Sequence, residues 1–179
     1  TMFDHYAYIP SVSRTNLAHF KELSIRLVRE LSLHKHNVVV DVGASDGSLL
    51  SFFKALGMKS IGIEPAKNLV ERSCLTHGIF SYPFYFTPHT AHMVVTNFGR
   101  AKLVTMTNVF AHIPNLHETL RALDILLAPD GVFFAQFPDV RNLFAENQFD
   151  TIYHEHLSYF TIEPLHHLFA RSPFEMYET

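Results

Sequence analysis

Apolar and polar positions recur along this chain at two different periods, and the changes between them mark the elements. Across 16–33, Leu17, Phe20, Leu23, Leu27 and Leu31 return every three or four residues, which predicts a helix whose apolar stripe packs on a sheet. Ser13 stands ahead of it as an N-cap. The run Asn37-Val38-Val39-Val40-Asp41-Val42 is valine-rich without alternation, the pattern of a strand buried on both faces of a parallel sheet. It stops at Gly43. A helix over 49–56, closed by Gly57, and a strand over 59–64 (KSIGIE) follow.

The alternation continues with a helix over 67–77, a strand over 79–82, a helix within 89–98, a strand over 103–108 (LVTMTN), a helix over 117–127 and a strand over 131–137 (GVFFAQF). Strands separated by helices imply an α/β fold with a Rossmann-like, doubly wound, mostly parallel sheet. The tail predicts a helix over 163–170 and the start of a strand at 174–177, so the sheet is expected to be truncated at its C-terminal strand pair. A lead-in and helix occupy 1–36 and one domain occupies 37–179, with no internal repeat or linker.

Composition changes this picture little. Hydrophobic residues make up 47% and charged residues 17% of 179, the balance of one globular domain with a proper core. A net charge of -3, with Lys and Arg scattered, leaves no footprint for a nucleic-acid backbone. No apolar run reaches the ~20 residues needed to span a bilayer and no signal peptide opens the chain, so it reads as cytoplasmic, with a small-molecule substrate and neither nucleic acid nor membrane as partner. A single cysteine, Cys74, excludes an intrachain disulfide and a multi-cysteine zinc site. Thirteen histidines remain to be explained, four of them crowded late in the chain as His154, His156, His166 and His167.

Candidate chemistry begins at the end of the first strand. The segment from Asp41 to Leu49 (DVGASDGSL) joins a buried strand to a helix, where open α/β sheets bind ligands. Gly43 permits a tight turn, and Gly47 removes a side chain that would block a nucleoside at the helix start. The loop is neither GxGxxG nor a P-loop, which disfavours pyrophosphate. Asp41 can reach a cationic ligand. Glu64, twenty-three residues later at the end of the second strand, can accept hydrogen bonds from both ribose hydroxyls and disfavours NADP.

With these residues the sequence resembles class I S-adenosylmethionine-dependent methyltransferases over 38–137, the competing reading being an NAD-binding Rossmann domain. The resemblance implies S-adenosylmethionine as cofactor. It places Asp41 and the loop residues Gly43, Ser45, Asp46 and Gly47 at the methionine part, Glu64 at the ribose, Phe86 on the adenine and Asn108 beside the fourth strand, with Pro65 also binding the cofactor.

Residues 149–160 read FDTIYHEHLSYF, which sets Tyr153, His154, Glu155 and His156 together between apolar positions. Histidine exchanges a proton near neutral pH, a carboxylate can orient it, and a tyrosine can donate to a developing oxyanion. Those are the parts needed to take a proton from a carbon beside a carbonyl. A surface segment with titrating histidines is the plainer alternative. A metal site built from His154, Glu155, His156, His166 and His167 is a third, although HExxH and zinc spacings are absent and no metal is expected.

The block resembles the signature of sugar C-methyltransferases that act on nucleotide-linked 4-keto deoxysugars. NVFAHIPNL (108–116) and MFDHYAYIPSVS (2–13) resemble two further segments of that family, in its order. The resemblance implies His156 as general base, Tyr153 and Glu155 arranged around it, His112 assisting near the ketone, and Tyr8 with Tyr6 holding the sugar. It also implies a longer enzyme of three parts, with a cysteine-rich zinc module before this segment and a Rossmann-like domain after it. The expected function is C-methylation of a ketosugar through a base-generated enolate. An O- or N-methyltransferase on another small molecule and a non-catalytic cofactor-binding module are the alternatives.

Overall fold

The computed structural model describes residues 10–148 and 152–177. Five strands form one sheet, β1 (Val38–Val42), β2 (Lys59–Ile63), β3 (Phe80–Tyr82), β4 (Ala101–Thr107) and β5 (Leu127–Gln136), in the order β3-β2-β1-β4-β5. Every pairing is parallel. All five residues of β1 are buried, as its unbroken valine run requires of a central strand.

Side chains of β1 alternate between two apolar layers. Val38, Val40 and Val42 join a cluster with Ile61, Ile63, Val104 and Met106, covered by α4 (Pro88–Phe98) and α5 (Leu116–Leu126). Val39 joins Leu103 on the opposite face, under α1 (Arg14–Glu30) and α2 (Ser48–Ala55). The α1 stripe works as expected, with Leu23 and Leu27 buried against Leu49, Leu50 and Phe53. Helix α1 starts two residues before the spacing predicts, because the Ser13 hydroxyl accepts the Asn16 N–H. Helix α3 (Lys67–His77) closes on Gly78 in the left-handed region.

Three expectations are corrected. Strand β5 begins at Leu127, directly at the end of α5, with a register irregularity between Ala101 and Leu103. Gly131 lies so close to the Ala101 carbonyl that a Cβ would not fit. A short helix α6 (Val140–Ala145), capped by Asp139, was not predicted, since six residues carry no readable period. Residues 174–177 form no strand; Phe174 and Met176 pack on the core beside α7 (Ile162–Phe169) instead.

The strand order reverses between β1 and β4. Crossovers therefore leave the sheet in opposite directions there, opening a crevice at the carboxyl ends of those two strands. Among the described residues, no helix is long and apolar enough to cross a membrane.

Candidate functional site

A cavity of about 1160 Å³ occupies that crevice. This slightly exceeds the ~300–1,000 Å³ of a typical small-ligand pocket, leaving room for two reactants side by side. The carboxylates of Asp41, Asp46, Glu64, Glu118 and Glu155 line it, and none of its described lining residues is Lys or Arg. Such a wall favours a cationic ligand and disfavours bare phosphate.

The loop after β1 builds one end. Gly43 turns at φ +72°, and a Cβ there would collide with Val109, so the tight turn read from the sequence is present. Ser45 also has positive φ, and its N–H donates to Glu64 Oε2 at 2.9 Å. The Ser45 hydroxyl oxygen is buried and has no hydrogen-bond partner among the described residues, as a group waiting for a ligand would be. Glu64 Oε1 accepts from the Ala66 N–H at 2.9 Å. Each Glu64 oxygen thus spends one lone pair on the backbone, and a carboxylate oxygen has a second to offer. Burial raises the Glu64 pKa, against the lowering effect of those two N–H groups.

Asp41 is buried in the cavity wall and accepts from the Thr105 hydroxyl at 2.7 Å. Burial pushes its pKa up to about 7; Thr105 draws it down and the Glu64 charge adds to the rise. Asp46 accepts from the Ser48 hydroxyl and N–H and from the Ser11 N–H. Burial opposes its ionisation, but these hydrogen bonds prevail and hold its pKa below the usual value. Asp46 therefore ties the segment before α1 to the start of α2.

Gly47 has a packing role that the sequence did not show. It is absent from the described cavity lining, and a Cβ at its φ of +78° would strike the Ser73 hydroxyl on α3. The glycine lets α2 start against α3. Gly47→Ala should cost about 1–3 kcal/mol and lower the calorimetric melting midpoint by several degrees, with ligand affinity nearly kept. An unchanged midpoint with lost affinity would return Gly47 to the ligand site.

Pro65, Phe86 and Asn108 all line the cavity. Phe86 is also packed against the core, so its ring is held in place. Asn108 has φ +56°, and its N–H donates to the Gln136 carbonyl at 2.7 Å. Positive φ at two non-glycine residues of one rim is the kind of backbone strain that gathers at functional sites.

Another part of the lining brings the histidine block to the segment after β4. The Leu157 and Ser158 N–H groups both donate to the Ala111 carbonyl, and His112 Nδ1 donates to the Glu155 carbonyl at 2.7 Å. The His112 and His156 rings lie 4.7 Å apart. Tyr153 Oη and His156 Nε2 are 3.0 Å apart, within one turn closed by the His156 N–H on the Tyr153 carbonyl. Burial, then the charges of Glu155 and Tyr159, raise the Tyr153 pKa, so the phenol keeps its proton. In the tautomer that leaves His156 Nε2 without a hydrogen, the phenol is the donor and Nε2 the acceptor. Tyr153, Glu155, His156 and His112 thus share the cavity with the glycine loop.

His154, His166 and His167 are exposed and outside the cavity lining. Among the described residues no group of three or more His, Cys, Asp or Glu is placed to hold a metal. Tyr6 and Tyr8 lie outside the described residues. Two cavity features escaped the sequence reading. His19 on α1 pairs its Nε2 with Gln136 Oε1 at 3.0 Å, both in the lining, and Thr105 holds the lining residue Asp41. Neither belongs to a local motif.

Comparison with known proteins agrees with this geometry. A family described as "Methyltransferase domain" matches residues 16–179. The C-methyltransferase NovU of Streptomyces niveus is 38% identical over 168 residues, covering 94% of this chain and 40% of NovU, so the chain spans about two fifths of that relative. A SAM-dependent methyltransferase of Archaeoglobus fulgidus is similar in structure with a TM-score of 0.69 at 17% identity, over 87% of this chain and 69% of that one. One from Anabaena variabilis has a TM-score of 0.62 at 19% identity, over 84% and 70%. The plantazolicin methyltransferase BpumL, solved with a desmethylPZN analog and SAH, has a TM-score of 0.61 at 12% identity, over 86% and 63%.

Proposed function

Because this chain belongs to the methyltransferase domain family and has the class I S-adenosylmethionine-dependent fold, we propose that it methylates a carbon beside the ketone of a nucleotide-linked sugar. The observation that carries the reading is the Tyr153–His156 pair, with His112 beside it, facing the same cavity as Glu64 and the glycine loop. The 38% identity to a C-methyltransferase supports it.

The residues present fit the cofactor. Glu64 offers acceptors for two ribose hydroxyls, the Ser45 hydroxyl is buried and unpartnered among the described residues, and Asp41 supplies negative charge once the pH passes its raised pKa of about 7. Pro65, Phe86 and Asn108 would complete its walls. When bound, S-adenosylmethionine supplies a methyl group on a positively charged sulfur.

His156 does the proton chemistry. As a ketone enters, the Tyr153 hydrogen turns from His156 Nε2 to the ketone oxygen, and Nε2 takes the proton from the neighbouring carbon. The C–H electron pair becomes that of an enolate, whose oxyanion Tyr153 stabilises. His112 spends its Nδ1 hydrogen on the Glu155 carbonyl, which fixes the loop and leaves Nε2 as the acceptor nitrogen of the neutral ring. Its help at the ketone is therefore positional in that form. The acidic cavity suits an uncharged sugar ring, which Tyr8 and Tyr6 would help to hold; the diphosphate belongs outside the described lining, on other parts of a longer enzyme.

Glu64→Gln tests the cofactor half of the reading. It should weaken S-adenosylhomocysteine binding by about 1.5–3 kcal/mol, the scale of hydrogen bonds to a charged group, when measured by calorimetry. Unchanged affinity would remove Glu64 from the ribose site.

A further inference from the structure

Asp41 and Thr105 are Cα partners in the β1–β4 register, at the two strands where the order of the sheet reverses. Thr105 is fully buried, and its hydroxyl donates to Asp41 Oδ1 at 2.7 Å, far nearer than its 3.5 Å approach to the Val40 carbonyl. Strand pairing fixes this contact. Around Asp41, Glu64 after β2 acts on its charge. Asp46 in its own loop, His112 after β4 and His19 on α1 line the same cavity, while none of the described lining residues is Lys or Arg. The Thr105 hydroxyl is accordingly what favours the charged form of a carboxyl that burial and Glu64 both oppose.

We propose that Thr105 is a positioning residue that holds Asp41 as an anion for the cationic end of the cofactor, so that cofactor affinity depends on pH through this pair. The proposal rests on the cofactor reading above. An Asp41 that titrates near 7 would place the dependence within the physiological range.

The test is S-adenosylhomocysteine calorimetry on the full chain from about pH 5.5 to about pH 8.5, comparing wild type, Thr105→Val, Thr105→Ser and Asp41→Asn. Wild-type affinity should rise about tenfold from pH ~6 to pH ~8, with its midpoint near 7. Thr105→Val should move that midpoint up by about one to two units, and Thr105→Ser should restore it. Asp41→Asn should bind weakly and lose this step, its profile carrying only the titrations of other groups. A valine profile that superimposes on wild type, or that drops by one factor at every pH, overturns the proposal, since packing alone would do that. A carboxyl NMR titration of wild-type Asp41 serves if valine does not fold: a midpoint near the ordinary ~4 overturns the proposal as well. No binding by wild type at any pH overturns the cofactor reading, and this proposal with it.

Discussion

His156→Ala should abolish exchange of the proton beside the ketone. The assay uses the longer enzyme with a 4-ketosugar nucleotide in deuterated water, where wild type washes that proton out in the presence of cofactor or an inert analogue. Loss of a positioned base typically costs about 10² to 10⁴ in rate, and methyl transfer should fall with exchange. S-adenosylhomocysteine affinity should stay nearly constant, because the described hydrogen bonds of His156 run to Tyr153 and not to the loop or Glu64. A smaller loss would assign the proton to another group, with Tyr153 and His112, its ring neighbours, next to be replaced. Exchange that survives all three substitutions would make the block structural, with another kind of methyl acceptor.

Asp41→Asn should stabilise the protein above neutral pH while impairing its ligand binding. The folded-state pKa of Asp41 is raised, from 3.8 to about 7. Between those values the native state holds a proton that the unfolded chain has released, so the stability of the fold declines as pH rises through this window. At about 1.4 kcal/mol per unit the decline reaches about 4 kcal/mol by pH ~7. Asparagine removes the titration but must satisfy a buried amide, which gives back about 1–3 kcal/mol. At pH ~8 the variant should melt roughly 5 °C above wild type by scanning calorimetry, and at pH ~4 no higher than it. A lower melting point at pH ~8 would mean that the buried carboxylate stabilises the fold.

Much of the fold could be read in advance because its signals are local. The valine run of β1 shows burial on both faces, and Gly43 and Glu64 terminate their strands where the sheet opens its crevice. The nearness of Tyr153, Glu155 and His156 was likewise legible, since they lie within one turn. What escaped depends on partners distant in the chain. Gly47 answers to Ser73, Asp41 to Thr105, and His19 to Gln136, and none of these pairs is visible without the register of the sheet. Strand β5 was read short because α5 runs into it without a break.

A crystal structure of the chain with S-adenosylhomocysteine tests the central claim most directly. The expected result has both ribose hydroxyls within about 3.2 Å of the Glu64 carboxylate, with the sulfur facing the wall that carries Tyr153 and His156. A nucleoside seated away from Glu64, with that side chain turned to core or solvent, would contradict it.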